Sequence, residues 1–266
     1  MRYAVLADVH ANLHALRAAV QFLERERIDA YVVAGDLVGY GPMPDECVEA
    51  VADLGATCVA GNHDLIALGR LSDDRCIPLA RRSLRWTRET MSEDTREYLA
   101  GLPSTAGVPG GVAIAHGSLD DAREYTTEPG QAVAQLARLD AEHAGSRLLI
   151  LGHTHRPWAC SGAGHVLHPG AGGLLDLSDV DRCLLNPGAI GQSRERRVRS
   201  RFLVLDLERQ NAAFHAIEYD VDGCRRALRE RGLPPGSYRL RRSGLAGAAH
   251  IARGAARRAK RITGRS

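Results

Sequence analysis

Five short apolar runs constrain this chain of 266 residues most, because each is followed at once by a motif of Gly, Asp, His or Asn. The most compact motif is Gly61-Asn62-His63-Asp64, which follows the apolar stretch 56–60. The other four are Asp8-Val9-His10, Gly35-Asp36, Ala115-His116-Gly117 and Gly152-His153-Thr154-His155. Because α/β proteins place functional groups in loops after buried strands, the pattern predicts that these polar side chains share one site.

The apolar runs alternate with segments of helical spacing in the first 155 residues. Strands are predicted at 3–7, 31–34, 56–60, 112–115 and 148–151. Helices are predicted after Asn12, after Pro44, twice between 78 and 102, and over 132–139. Short β segments follow at 158–160, 166–168, 183–185, 202–207 and 212–217, and a last helix covers 221–231. The alternation predicts an α/β fold with a mostly parallel sheet and a site at the carboxyl ends of its strands.

Composition excludes several classes of protein. Hydrophobic residues make up 44% and charged residues 25%, as in an ordinary globular protein. Apolar runs of membrane-spanning length are missing from the sequence, and Asp8 and His10 interrupt the only early apolar segment, which argues against a signal peptide. The six cysteines form no CxxC pair, so we expect reduced, mostly buried thiols in a cytoplasmic protein.

The charge is distributed unevenly along the chain. Nine of the 35 basic residues and none of the 32 acidic residues lie from Arg239 onward, which leaves 26 basic against 32 acidic residues in the first 238. The sequence thus predicts one domain over 1–238 and a basic, flexible tail over 239–266. The tail predicts contact with nucleic acid, or alternatively a merely solvated extension.

The strand-end residues carry the chemistry of a metal site. Carboxylate, imidazole and amide donors suit Mn²⁺, Zn²⁺ or iron, whereas the lack of cysteine donors argues against a closed structural zinc site. Any one of these residues alone has an ordinary alternative: a buried histidine, a helix cap at Asp8 or a turn at Asp36. Eight such groups at five strand ends exceed what one ion needs and predict a pair of metals, of which a single carboxylate can bridge both.

These motifs resemble a known family. Asp8-x-His10, Gly35-Asp36, Gly61-Asn62-His63-Asp64, His116 and Gly152-His153-Thr154-His155 are similar to the five motifs of the calcineurin-like metallophosphoesterase superfamily. The resemblance covers roughly residues 1–206, and the stretches 35–42 and 186–192 resemble small bacterial single-domain members of the phosphodiesterase type. It implies a sandwich of two mixed β-sheets flanked by helices, which is a four-layer fold.

The resemblance also implies a ligand set and a reaction. Asp8, His10, Asp36 and His155 would hold one divalent metal; Asp36, Asn62, His116 and His153 would hold the second, with Asp36 bridging. Mn²⁺ is the first expectation, with Zn²⁺, Fe or Ni²⁺ as alternatives. A hydroxide between the metals would attack phosphorus in line, and His63 would protonate the leaving group. Asp64 would orient His63 and keep it protonated, a role compatible with capping a helix.

The substrate is less constrained than the metal site. Leu37-Val-Gly-Tyr-Gly41 lacks the arginine that protein serine/threonine phosphatases and dinucleoside tetraphosphatases carry after Gly-Asp, which argues against their substrates. Asn12, Arg156 and Arg194 are predicted to touch substrate phosphate. The arginines at 194, 196, 197, 199 and 201 either reach a polyanionic substrate or lie on one face of a solvated loop.

Three functions remain open from the sequence. The leading one is hydrolysis of small phosphoesters, most of all phosphodiesters. A non-catalytic scaffold is the second, similar to the retromer subunit that keeps this fold while losing catalysis. The feature that discriminates the two is the histidine of the Gly-Asn-His-Asp motif, and this chain retains it as His63. A nuclease or nucleic-acid-bound phosphoesterase that uses the basic tail is the third. The oligomeric state is open.

Overall fold

The computed structural model describes residues 1–240, and this part of the chain contains twelve strands and eight α-helices. The strands are β1 (Arg2–Leu6), β2 (Ala30–Val33), β3 (Thr57–Cys58), β4 (Thr105–Val108), β5 (Val112–Ala115), β6 (Leu148–Ile150), β7 (Pro157–Ser161), β8 (Val166–Leu167), β9 (Leu174–Asp176), β10 (Cys183–Pro187), β11 (Ser200–Asp206) and β12 (Asn211–Ile217). The helices are α1 (Leu13–Leu23), α2 (Pro44–Asp53), α3 (Asn62–Ala67), α4 (Pro78–Thr90), α5 (Glu93–Ala100), α6 (Pro129–Leu136), α7 (Leu139–Glu142) and α8 (Val221–Glu230).

The strands form two sheets of six. The first has the order β3-β2-β1-β11-β12-β9 and the second the order β4-β5-β6-β10-β7-β8. In the first sheet β1, β2 and β3 are parallel, and in the second β5, β6 and β10 are parallel, while the remaining pairs are antiparallel. The predicted two-sheet mixed fold is confirmed. The expectation of a mostly parallel sheet is wrong, because β11 and β12 return as a hairpin and pair antiparallel beside β1.

Successive side chains of each strand pack against different layers on the two faces of its sheet. Ala4 and Leu6 of β1 pack with α1, whereas Tyr3 and Val5 face the second sheet. On the far side of the second sheet, Leu149 of β6 packs with α6. Because successive side chains of a strand point to opposite faces, each sheet buries both surfaces, and the layers stack as helix, sheet, sheet, helix.

The predicted helix boundary at Ser92 is present. Its side chain accepts a hydrogen bond from Thr95 N at 3.2 Å and caps α5. Helix α4 contacts the loop after β2, because Ser83 Oγ accepts a hydrogen bond from Tyr40 N at 3.0 Å. This helix therefore lies beside the predicted site. Two short strands, β4 and β9, and two short helices, α3 and α7, were not predicted from the sequence.

The described chain ends in a segment that is hydrogen-bonded to the body. Ser193 N donates to Tyr238 O, and Leu240 N donates to Ser193 O, each at 3.0 Å. The Arg239 guanidinium donates to the carbonyl oxygens of Glu195 and Arg196. The predicted tail boundary at residue 239 therefore falls inside a paired segment, and the rest of the basic tail lies outside the described residues.

Two other expectations concern the chain as a whole. All six cysteines are free thiols, and all except Cys76 are buried. Across residues 1–240 the longest helices fall short of the length and apolarity needed to cross a bilayer.

Packing of α1 on the first sheet can be tested with Leu16, which is fully buried. We expect Leu16→Ala to lower the free energy of unfolding by roughly 2–5 kcal/mol, since a cavity remains where the side chain packed. Chemical denaturation followed by circular dichroism measures this. The neighbouring exposed Arg17 provides the control, and Arg17→Ala should change stability by no more than about 0.5 kcal/mol. Equal losses in both variants would contradict the layer assignment.

Candidate metal centre

The polar motifs all follow strands that are parallel within their sheets. Asp8 and His10 follow β1, Asp36 follows β2, and Asn62 follows β3 in the first sheet. His116 follows β5, and both His153 and His155 follow β6 in the second sheet. Parallel strands bring their carboxyl ends to one edge, so the two sheets deliver these side chains to a shared site.

The backbone of this site is held in an unusual conformation. Seven of the eight non-glycine residues with positive φ in the described chain lie in these loops: Asp8, His10, Ala11, Asp36, Tyr40, His153 and His155. Their φ angles lie between 50° and 63°. Each such residue costs on the order of 1 kcal/mol, so the rest of the fold must compensate for the set.

The first group of potential ligands contains Asp8, His10 and His155. Asp8 Oδ1 lies 3.2 Å from His155 Nε2 and 3.8 Å from His10 Nε2. The two imidazole Nε2 atoms face each other at 3.1 Å. The second group contains Asp36, His116 and His153. In it, Asp36 Oδ2 lies 3.2 Å from His116 Nε2, and Asn62 Oδ1 lies 3.2 Å from the same nitrogen.

Asp36 stands between the two groups. Its Oδ2 is 3.6 Å from His10 Nε2 in the first group and 3.2 Å from His116 Nε2 in the second. The geometry thus brings together all seven residues predicted as metal ligands and places Asp36 where a bridging carboxylate would lie.

The inward-facing atoms fit metal ions. Asp8 Oδ1, Asp36 Oδ2 and His153 Nε2 are buried and make no hydrogen bond within residues 1–240. Burying a polar atom without a hydrogen-bond partner costs free energy, and here several such acceptor atoms point at one another. Divalent cations coordinated by these oxygens and nitrogens satisfy all of them, so the residues present fit two metal ions.

Backbone carbonyl groups fix three of the imidazole rings. The Nδ1 atoms of His10, His116 and His155 lie 3.1, 2.7 and 2.8 Å from the carbonyl oxygens of Val38, Ala34 and Gln192. A carbonyl oxygen can only accept, so Nδ1 of each ring carries a proton, and the neutral form of each ring presents the Nε2 lone pair to the site. These carbonyl partners could not be found from the sequence, because no residue type is needed to supply them.

The charges of the site shift the pKa values of its histidines in different directions. Burial lowers the pKa of His10 and His153 well below the usual value, since it disfavours the charged ring. Burial acts in the same sense on His116, but the nearby Asp36 carboxylate outweighs it and raises the pKa of His116 to about 9. Burial lowers the pKa of His63 to about 4, although Asp36 opposes the shift.

Asp64 makes contacts that differ from its predicted role. Its carboxylate oxygens accept hydrogen bonds from Asp36 N at 2.9 Å, Val38 N at 3.1 Å and Gly61 N at 2.9 Å. Burial and the neighbouring Asp36 raise the pKa of Asp64 to about 7. Asp64 therefore ties the loop after β2 to the start of α3, and these contacts hold Asp36 rather than the His63 ring.

His63 lies beside the metal-ligating groups on the first turn of α3. Its backbone N–H donates to Asp36 Oδ1 at 2.8 Å, and its ring lies 4.8 Å from the rings of His10 and Tyr40. Nδ1 of His63 is buried and unpaired within the described chain. The ring is also close enough to His10 and Asp36 to be a ligand, so its position allows either a ligand or a proton donor.

Comparison with known proteins identifies the fold and its family. A family model described as calcineurin-like phosphoesterase matches residues 1–185. The chain belongs to this family. A solved metallophosphoesterase from Sphaerobacter thermophilus is 35% identical, covers 90% of this chain and 96% of its own, and superposes with a TM-score of 0.77. An uncharacterized protein of Methanocaldococcus jannaschii is 29% identical over 87% of this chain and 93% of its own length.

A further solved structure shows the same fold at lower identity. A hypothetical protein from Pyrococcus horikoshii is 20% identical, covers 89% of this chain and 96% of its own, and has a TM-score of 0.72. The family and the first of the solved structures confirm the prediction that the chain is a metal-dependent phosphoesterase.

The three predicted substrate-binding residues occupy different positions in this phosphoesterase. Asn12 is 1% exposed and caps α1 through Ala15 N, while its Nδ2 donates to Gly191 O at 2.8 Å. Its polar atoms thus serve the fold. Arg156 is exposed next to His155. Arg194 is half-buried and lies at the site, where its guanidinium carbon is 5.9 Å from the centroid of the Tyr125 ring.

Two tyrosines of the site were not predicted from the sequence. The Tyr40 ring contacts His10 and His63, with centroids 4.8 Å from each. The Tyr125 ring lies 4.0 Å from the His153 ring. Tyr40 could have been noticed, since it follows Gly35-Asp36 closely, whereas Tyr125 lies in a polar loop with no local signal.

Close approach of the loops makes Gly61 a sensitive position of the phosphoesterase. A Cβ atom at Gly61 would overlap Asp36 Oδ1 and the Asp36 backbone nitrogen. We expect Gly61→Ala to displace Asp36 and weaken metal binding by roughly 10- to 100-fold, measured by titration calorimetry. A Cβ at Gly130 would meet nothing within 4 Å, so Gly130→Ala is the matched control. Unchanged affinity in Gly61→Ala would show that Asp36 is not fixed by this contact.

The raised pKa of His116 predicts how metal affinity depends on pH. A proton occupies His116 below pH 9 before a cation binds, and ligation requires the neutral ring, so binding releases that proton. Affinity should then rise roughly tenfold per pH unit from neutral pH to about 9 and level off above it. Calorimetry in two buffers of different ionisation enthalpy counts the released protons. His116→Gln should flatten the dependence, and a steep dependence retained in that variant would contradict this assignment.

Proposed function

We propose that this phosphoesterase hydrolyses phosphodiesters with two divalent metal ions, of which Mn²⁺ is the first choice. The observation that carries the proposal is the pair of ligand groups that meet at the Asp36 carboxylate. A mixed set of carboxylate, imidazole and amide donors accepts Mn²⁺, and also Zn²⁺, Fe or Ni²⁺.

The ligand assignment follows the two groups. Asp8, His10, Asp36 and His155 would hold the first ion, and Asp36, Asn62, His116 and His153 the second. When bound, such a pair supplies a nucleophile at neutral pH and neutralises charge that develops on the phosphoryl oxygens. The protein supplies a fixed frame, because backbone groups orient the ligating side chains before substrate arrives.

His63 is proposed as the general acid that protonates the leaving oxygen. The neutral ring prevails in the free protein at neutral pH, because burial lowers the pKa of His63 to about 4. A phosphate anion bound beside the ring favours the charged imidazolium and raises that pKa. His63 can then donate its proton in the complex and stabilise negative charge on the phosphoryl group.

The stretch after Gly35-Asp36 supports a substrate different from that of the arginine-bearing relatives. Tyr40 fills this part of the site and packs against His10 and His63. Its position narrows the space around His63 with an aromatic ring in place of an arginine. A small phosphodiester fits this proposal, and phosphomonoesters are the second class to examine.

The alternatives from the sequence have different support. The seven potential ligands and His63 all lie at the site, which favours an active enzyme over a non-catalytic scaffold. Binding of nucleic acid through the basic tail stays a prediction, because most of the tail lies outside the described residues. The cytoplasmic location also stays a prediction.

Hydrolysis of bis-p-nitrophenyl phosphate with Mn²⁺ tests the proposed reaction. We expect turnover that chelators abolish and metal restores. Asp36→Asn should reduce kcat by roughly 10³-fold or more, because one carboxylate serves both ligand groups. His63→Ala should reduce kcat by roughly 10²- to 10⁴-fold, which is the usual contribution of a general acid.

Elemental analysis separates the two possible roles of His63. If the residue is an acid, His63→Ala keeps about two metal ions per chain while turnover falls. Loss of one ion would make His63 a ligand and overturn the acid assignment. Gly130→Ala serves again as the control with normal activity, since its Cβ would meet nothing within 4 Å.

A further inference from the structure

Arg194 is a cation placed at the metal centre without an anionic partner in the described chain. Its Nε is buried and makes no hydrogen bond within residues 1–240, and its Nη1 reaches the Thr154 carbonyl oxygen only at 3.5 Å. The guanidinium lies over the Tyr125 ring, which itself packs on His153. Taking part of a charged group out of water is costly unless an opposite charge accompanies it, so the half-buried position of this guanidinium favours an anionic ligand.

The neighbouring arginines of the loop are neutralised or exposed. Arg199 pairs with Glu218 at 2.8 Å, and Arg201 pairs with Glu195 at 2.6 Å. Arg196 and Arg197 are exposed. Glu195, the residue next to Arg194, therefore directs its carboxylate to Arg201. One arginine of the loop thus lies at the candidate metal centre, and the other four form ion pairs or are exposed to solvent.

The charge of the site points in the same direction. Asp8, Asp36 and Asp64 are its three buried carboxylates within the described chain. Two divalent cations would exceed these charges by one, Arg194 raises the excess to two, and a singly charged nucleophile held by the cations would lower it to one. The site then keeps a net positive charge, which attracts a ligand with two negative charges more strongly than a singly charged phosphodiester.

The loop that carries Arg194 is held by the segment 237–240, here called the C-terminal strap. Strap and loop pair through Ser193, and Gln192 Nε2 donates to Ser237 O at 3.2 Å. The Arg239 guanidinium donates to the Glu195 and Arg196 carbonyl oxygens at 3.2 and 2.6 Å. Ser237 Oγ also donates to Tyr40 O at 2.9 Å, so the strap joins the two loops that border the metal centre.

We propose that Arg194 binds a non-bridging oxygen of the substrate phosphoryl group and that the C-terminal strap positions it there. The inference rests on the proposed phosphoesterase function and extends it to substrate charge: the site accepts dianionic phosphomonoesters as well as diesters. Arg194 is the substrate-binding residue, and Arg239 is a positioning residue that acts through the loop.

The charge product gives this proposal a distinctive consequence. Removing the Arg194 charge should weaken the binding of a dianion about twice as much, on the free-energy scale, as the binding of a monoanion. For Arg194→Gln we expect Kd for inorganic phosphate at pH 8, and KM for p-nitrophenyl phosphate, to rise by about 30-fold. KM for bis-p-nitrophenyl phosphate should rise by only about fivefold, with kcat changed less than KM.

The matched control is Arg197→Gln, which removes the same charge from an exposed position of the same loop. It should leave KM for both substrates and Kd for phosphate unchanged within about twofold. Phosphate binding is measured by calorimetry on the metal-loaded protein, which gives a readout that does not depend on turnover.

The strap is tested with Arg239→Met, which keeps the aliphatic stem and removes the bonds to the loop carbonyls. As for Arg194→Gln, we expect Kd for phosphate and KM for the monoester to rise more than KM for the diester. The metal content should stay normal. Arg209→Met is the control, since the Arg209 side chain is 79% exposed. Equal loss for both substrates in Arg239→Met would indicate a general structural role and overturn the positioning assignment.

Failure of this inference is distinct from failure of the proposed function. If the wild-type protein hydrolyses the diester but Arg194→Gln binds phosphate as the wild type does, Arg194 is not the anion site. If wild-type turnover is missing with both metals loaded, the proposed function fails, and phosphate calorimetry on Arg194→Gln still decides the anion site.

Discussion

The Asp36 carboxylate is the interaction on which the rest of the site depends. Its Oδ1 accepts the His63 N–H, its Oδ2 faces His10 and His116, and its own N–H donates to Asp64. A single side chain thus joins the loop after β2, the start of α3 and both groups of potential ligands. Because Asp36 faces both groups, displacing it would affect the whole candidate metal centre, whereas we expect a change at His155 or His153 to affect one group.

The strained backbone of the loops explains why so many polar contacts are needed around Asp36. Positive φ angles aim Asp8, Asp36, His153 and His155 back toward the site immediately after their strands. The cost is offset by buried carboxylates that accept backbone N–H groups, as Asp8 does from His153 and Asp64 does from three amides. The same contacts pre-organise the ligands, so metal binding meets a frame that is already formed.

The sequence predicts the residues of this site better than their contacts. Apolar runs locate five strand ends, and the motifs that follow them, together with the family resemblance, point to the ligands. The antiparallel return of β11 beside β1 and the short strand β9 depend on long-range pairing that leaves no local pattern. Asp64 shows the same limit: its residue type fits both an orienting carboxylate and a cap, and only the fold shows which N–H groups it accepts.

The side chains that border the candidate metal centre of this family member come from parts of the chain that lie far apart in sequence. Tyr40 follows β2, Tyr125 precedes α6, and Arg194 follows β10, yet Tyr40 packs on His10 and His63, Tyr125 packs on His153, and Arg194 lies over Tyr125. The C-terminal strap reaches two of these loops through Ser237 and Arg239. Under the proposed role of Arg194, a change in the strap would move a charge at the candidate metal centre and leave the potential ligands in place. Affinity for phosphate and affinity for metal would then vary independently, because different segments of the fold hold Arg194 and Asp36.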